Sequence, residues 1–320
     1  MISENYHVSY DSNTRFIYLD PKINHKSTVI FLHEFSKFNF EFFKDFSDGL
    51  AAPLTSRIVL PQSSFIPIKK DLYLKRYSWF SYDKMVPFGL ETNTGTEEEK
   101  AEWYNQDDII KSSIKVQAII DEEIKRFADG NTRRVFLIGY SQGAMQALST
   151  FLTYNGVKPL GGIASLSGCI PLEQSRFRQS EWDKYVQRNT PMYLQVGKLD
   201  ESSYCSYETS MRTFEYLKTE IYKGKYQSNL TIHVDPKQKH VVKGHSMQHM
   251  RDWLYIKTLK LTVDKHHDDN PDHNSGSGIH VDGDHNAEEH DHDGDDPLNP
   301  WDHDHSPDEE NVPHTHDDGF

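Results

Sequence analysis

The chain has 320 residues, 36 % hydrophobic and 26 % charged, with a formal charge of −14. That charge is concentrated at one end: Lys265 to Phe320 holds 14 Asp and 4 Glu against one Lys, a net −17, so residues 1–264 carry about +3. The body is long enough for one substantial core and the tail is too poor in apolar residues to build another; no nucleic-acid partner is expected, since the tail is acidic and the body has no dense basic run beyond Lys237 to Lys243. No run approaches the roughly 18 apolar residues of a membrane span, and Met1 to Tyr6 has neither a basic nor an apolar signal region. Two cysteines, Cys169 and Cys205, are too few for a disulfide framework, so the expected location is cytoplasmic.

Seven short runs rich in β-branched and aromatic residues predict strands: Phe16 to Leu19, Thr28 to Leu32, Arg57 to Leu60, Val135 to Gly139, Ile163 to Leu166, Met192 to Val196 and Leu230 to Val234. Helical spacing marks Ile109 to Phe127, Ala144 to Tyr154, Ser206 to Tyr222 and Met247 to Leu259. Alternating strands and helices, with the middle strands continuously apolar, predict an α/β fold: a three-layer sandwich with a mostly parallel central sheet. Two segments break the rhythm. Met85 to Asp108, with Pro87, Gly89, Gly95 and the acidic run Glu97 to Glu99, reads as a surface excursion in which Trp103 and Tyr104 serve as packing anchors. Pro171 to Asn189 reads as an irregular cap element. The resulting division is a folded domain over 1–264 and a disordered acidic His/Asp-rich tail over 265–320.

Gly139-Tyr140-Ser141-Gln142-Gly143 follows one predicted strand and precedes a predicted helix. A strand-to-helix turn this tight needs glycines beside its serine, and it lifts the serine hydroxyl clear of the sheet, which is the geometry of a nucleophile elbow. A neutral serine requires a histidine base oriented by a carboxylate, and in this arrangement both follow the nucleophile in sequence. Asp200, in the loop after Met192 to Val196, is the expected acid. Asp183 and Asp235 are less well placed, the first in the irregular segment and the second directly at a strand end. For the base, His245 in Gly244-His245-Ser246 is preferred as a loop residue just before a helix. His240, among Lys237, Lys239 and Lys243, reads as a solvated loop residue, and His249 falls inside the helix. The backbone amides of Gln142 and Phe35 are the expected oxyanion donors, the latter on the loop that ends the strand Thr28 to Leu32. His33 on that loop reads as structural.

These residues resemble the acyl-protein thioesterase and carboxylesterase group of α/β-hydrolases, the phospholipase/carboxylesterase family, over about Thr28 to Leu259. Val29-Ile30-Phe31-Leu32-His33 is similar to its strand entering an HG-rich loop, Ser78-Trp79-Phe80 to its SWFD segment, Gly139 to Gly143 to its GFSQGG elbow, and Ser167-Gly168 with Pro171-Leu172 to its LSxxLPL block. The resemblance implies an α/β-hydrolase, with Ser141, Asp200 and His245 as the triad, Phe35 and Gln142 as oxyanion donors, and Trp79 beside the substrate. It implies no cofactor and no catalytic metal. Glu34 stands where the family has glycine, and Ser36-Lys37 replaces a Gly-Asp pair.

The tail holds 11 of the 18 histidines in short His/Asp units such as His290-Asp291-His292-Asp293. Without fixed geometry it could hold divalent metal ions only weakly. The expected activity is hydrolysis of carboxylic esters or thioesters through an acyl-enzyme, with an acylated protein as first substrate class and a lysophospholipid or small ester as second. The alternative is a catalytically weak hydrolase-fold protein that works by metal or partner binding through its tail.

Overall fold

The computed structural model describes residues 2–46, 52–84, 96–241 and 245–263. The tail from 265, its boundary with the domain and residues 85–95 of the excursion lie outside that set.

After a short helix α1 (Ile2–Asn5), strands β1 (Tyr6–Asp11), β2 (Phe16–Pro21) and β3 (Ser27–Leu32) lead to helix α2 (Asn39–Phe46) and strand β4 (Ser56–Leu60). A separate hairpin, β5 (Ser64–Ile68) and β6 (Leu74–Ser78), precedes helices α3 (Glu97–Trp103) and α4 (Gln106–Lys125). Then follow β7 (Val135–Tyr140), α5 (Gln142–Leu152), β8 (Gly162–Leu166), α6 (Glu181–Arg188), β9 (Met192–Gly197), α7 (Tyr207–Tyr216), β10 (Leu230–Asp235) and α8 (His245–Val263). The main sheet runs β1-β2-β4-β3-β7-β8-β9-β10. Its strands are parallel from β4 to β10, while β2 is antiparallel to β4 and β1 to β2.

All seven predicted strands and all four predicted helices are present. The sequence pattern missed β1, whose side chains are mostly exposed, and the hairpin, where Pro67 and a cluster of basic residues dilute the strand signal. It also missed α2, α3 and α6; α6 turns the expected irregular cap into an ordered element, opened by a capping box between Ser180 and Asp183.

Successive residues of each central strand feed opposite layers, the period of two that a doubly covered sheet requires. Ile30, Leu137 and Leu194 face α4 and α5 through Ile109, Val116, Met145 and Leu148. Val29, Phe31, Phe136 and Tyr193 face α2 and α8 through Phe42, Met250 and Trp253. Tyr104 is buried and Trp103 packs against the first of these clusters, as their reading as anchors required.

The parallel strands all end on one edge, so the loops after β3, β7, β9 and β10 converge there. In an open α/β sheet that carboxyl edge is where ligands bind.

Candidate active site

Ser141 lies between β7 and α5 with φ 53° and ψ −120°. This is a left-handed conformation that costs a non-glycine residue about 1–3 kcal/mol and persists only where its surroundings impose it. They do so here by close approach. A Cβ on Gly139 would stand 2.1 Å from the Gly143 carbonyl oxygen, and one on Gly143 would stand 2.2 Å from that of Leu32 and 2.6 Å from that of His33. The second pair matters beyond the turn, because it lets the start of α5 lie directly against the loop that leaves β3. The Ser141 amide donates to the Leu166 carbonyl at 2.9 Å, tying the elbow to the neighbouring strand.

Gln142 is the first residue of α5, so its amide has no partner within the helix. Its side chain joins the elbow to Ser78-Trp79-Phe80: Oε1 accepts from the Trp79 amide at 3.1 Å, and Nε2 donates to the Phe80 carbonyl at 3.0 Å. The loop carrying Phe35 is fixed from three sides. The Trp79 indole donates to the His33 carbonyl at 2.8 Å, the Ser36 amide donates to the Tyr77 carbonyl at 2.8 Å, and the His33 ring bridges to the next segment. His33 Nδ1–H donates to the Glu34 carbonyl at 2.7 Å, and Nε2 accepts the Ser63 amide at 3.1 Å. Complete burial pushes the His33 pKa down to about 4, so the ring is neutral and keeps the acceptor that this bridge needs. Its structural reading holds.

Trp79, which the resemblance places beside the substrate, is buried, and its indole N–H is committed to the His33 carbonyl, so it holds the loop that carries Phe35. The Glu34 carboxylate lies 3.9 Å from the Lys37 ammonium, a pair close in sequence on the same loop.

The acid and the imidazole come from the last two strands. Asp200 is 2 % exposed; its Oδ1 accepts the Ser202 amide at 3.0 Å and its Oδ2 faces His240 Nδ1 at 2.8 Å. His240 Nε2 lies 2.8 Å from Ser141 Oγ. The three side chains therefore form one continuous hydrogen-bonded relay, and the choice of histidine made from sequence needs correction. The ring beside Ser141 belongs to His240; His245 is the first residue of α8, and its side chain is outside the described set.

The reason is the pairing of β9 with β10, whose parallel register ends at Gly197 opposite Asp235 and continues into both loops. Lys198 N–H donates to the Asp235 carbonyl at 2.8 Å and Leu199 N–H to the Gln238 carbonyl at 3.0 Å. Gly197 permits this, since a Cβ there would be 2.1 Å from the Gln238 oxygen. Asp200 sits three residues past its strand end and His240 five past the partner's, so the two loops reach the same place together. The surrounding lysines obscured a signal that was present: adjacent parallel strands deliver the carboxylate and the imidazole at similar chain distances.

Tyr140 completes the support. Its hydroxyl donates to the His240 carbonyl at 3.0 Å and its ring stacks on the imidazole, with centroids 5.8 Å apart and planes inclined by 28°. Cys205 is buried, and its thiol donates to the Ser167 carbonyl at 3.3 Å. Burial pushes its thiol well above the usual range, and that of Cys169 up to about 12.

The phospholipase/carboxylesterase family model matches residues 14–258. The chain belongs to that family. It is 28 % identical over 153 residues to a probable carboxylesterase SOBER1-like of Arabidopsis thaliana, covering 47 % of this chain and 52 % of that protein. It is 25 % identical over 163 residues to acyl-protein thioesterase 1 of Schizosaccharomyces pombe, covering 49 % and 62 %. The matches thus span about half to three-fifths of these relatives' lengths. Among solved structures, Zea mays acyl-protein thioesterase 2 superposes with a TM-score of 0.58 at 18 % identity, covering 76 % of this chain and 99 % of that one, a likeness of fold. The architecture is the α/β-hydrolase fold expected from the sequence. No helix among the described residues is long and apolar enough to cross a membrane.

Proposed function

We propose that this protein is a serine hydrolase that cleaves carboxylic esters or thioesters through an acyl-enzyme on Ser141. The observation that carries this reading is the relay Ser141 Oγ to His240 Nε2 to Asp200 Oδ2, with 2.8 Å at each step. Asp200 Oδ2 accepts a hydrogen bond from His240 Nδ1–H, which keeps the proton on Nδ1 and leaves Nε2 as the basic nitrogen facing the hydroxyl. Ser141 Oγ attacks the acyl carbonyl carbon as its proton passes to Nε2. The carbonyl oxygen becomes an oxyanion held by the amides of Phe35 and Gln142. Collapse breaks the bond to sulfur or oxygen, and His240 returns the proton to the departing thiol or alcohol. Water then attacks the acyl-enzyme with His240 again as base, releasing the carboxylic acid and restoring Ser141.

An acyl group on a protein cysteine is the first substrate class and a lysophospholipid or small ester the second; the names of the relatives, carboxylesterase and acyl-protein thioesterase, support both. The test is covalent labelling with a fluorophosphonate probe alongside thioester turnover. The native chain is expected to label and turn over, and Ser141→Ala to do neither while keeping its far-ultraviolet spectrum. Turnover by Ser141→Ala would overturn the assignment.

A further inference from the structure

A cavity of about 340 Å³ lies on the carboxyl edge of the sheet, apart from the relay. β2 is antiparallel to β4, so its start meets the end of β4, with Ile17 opposite Leu60. Phe16 and Pro61 extend from that pair, α4 closes the space with Ala118 and Ile119, and Trp79 lines it as well. None of Ser141, Asp200, His240, Phe35 and Gln142 borders it. A concave, largely apolar space of this size with a few polar groups is the usual form of a small-molecule site.

The hydroxyls and the amide that line it are engaged, with one exception. The Thr14 hydroxyl donates to Asp11 Oδ2 at 2.9 Å and the Ser112 hydroxyl to the Trp79 carbonyl. The Gln62 side chain accepts the Asn39 amide at 2.8 Å and donates to the Lys37 carbonyl at 3.3 Å. Ser63 is 5 % exposed, yet its hydroxyl has no hydrogen-bond partner among the described residues. A buried hydroxyl in that state is unfavourable, and a native fold that keeps one calls for a reason. The charge at the cavity is also one-sided. Lys115 lines it with its ammonium 2.9 Å from Ser64 Oγ, and it forms no ion pair among the described residues. No aspartate or glutamate among those residues lines the space.

We infer that this cavity binds a free carboxylic acid with an apolar body, the chain lying against Phe16, Pro61 and Ile119 while the carboxylate meets the Lys115 ammonium and the Ser63 hydroxyl. A carboxylate is the acceptor that both donors lack, and an ammonium without a counter-charge strengthens the bond it donates. The cavity walls also support the loop that carries Phe35. The Gln62 side chain and the Ser63 amide each donate to His33 Nε2 at 3.1 Å, and the Trp79 indole donates to the His33 carbonyl at 2.8 Å. An occupant would therefore press on the parts that hold that loop in place. The acid released by the reaction proposed above has this chemistry; naming it as the occupant rests on that reading, whereas the binding site does not.

The experiment is isothermal titration calorimetry of the full chain with octanoate and with octanamide, its uncharged counterpart. The native chain should bind octanoate about fivefold or more tightly than octanamide. Lys115→Gln should remove that preference and Lys115→Arg should keep it. Ala118→Trp, which fills the space from an exposed helical position, should weaken both ligands by about tenfold or more. Ser63→Ala should weaken octanoate while raising the melting temperature, because it deletes the buried hydroxyl that has no partner. Melting curves confirm that each variant is folded. Absence of octanoate binding, equal affinity for the amide, or an affinity indifferent to Lys115→Gln and Ala118→Trp would overturn the inference. None of these readouts uses turnover: an inactive chain that binds octanoate in this pattern keeps the site, and an active chain that does not bind it loses the site alone.

Discussion

The loop after β7 and the loop after β10 each deliver one side chain to the relay, yet they are built by different forces. The elbow at Ser141 is held by main-chain collisions: Gly139 and Gly143 are required because carbonyl oxygens lie where a Cβ would be. Its sequence is therefore dictated over five consecutive residues. The loop to His240 is held by partners distant in sequence, the Leu199 amide on the Gln238 carbonyl and the Tyr140 hydroxyl on the His240 carbonyl, about 40 and 100 residues away. Steric necessity writes itself into local sequence, whereas tertiary hydrogen bonding to the backbone leaves the residue types nearly free.

The largest effect should come from the histidines. His240→Ala is expected to lower kcat by about three orders of magnitude or more, and His245→Ala to leave most of it, measured on one thioester substrate. The reverse ranking would mean that the loop moves to present a different ring. A pair of glycine variants then compares the two regions directly. Gly143→Ala pushes α5 away from the oxyanion loop and should cost about 10²-fold in kcat. Gly197→Ala pushes the Gln238 carbonyl away and should cost a comparable factor, about 10²-fold, by misplacing His240. Probe labelling of Ser141 should slow in both, and an unaffected Gly197→Ala would show that the base loop does not depend on the β9–β10 register. The smallest expected change is Tyr140→Phe, which keeps the stacked ring but loses one hydrogen bond worth about 1 kcal/mol, or roughly fivefold in kcat, with KM little changed. A uniform loss of stability without that kinetic split would make Tyr140 a packing residue only.

The same contrast explains what could be read in advance. Continuous apolar strands such as Val135 to Tyr140 and the amphipathic spacing of α4 were plain, since burial on two faces or one leaves a periodic record. Asp200 and Ser141 followed from their places after strands. His240 did not, because three neighbouring lysines marked the loop as solvated while the ring itself turns inward to Asp200. The hairpin was invisible for a related reason: many of its side chains face away from the core, so no apolar alternation marks its strands. Trp79 was found by resemblance, and its hydrogen bond to the His33 carbonyl, made across 46 residues, left no trace in the local sequence.

The burial of the two cysteines has a consequence for the chain's reactivity. Cys169 and Cys205 are enclosed in the first packing layer, and Cys205 is further held by its hydrogen bond to the Ser167 carbonyl. Alkylation and oxidation of a thiol both proceed through the thiolate, and enclosure disfavours that form at each of them. Cysteine sulfur is therefore chemically silent in the described residues, so the chain needs no reducing agent to keep this edge of the sheet intact.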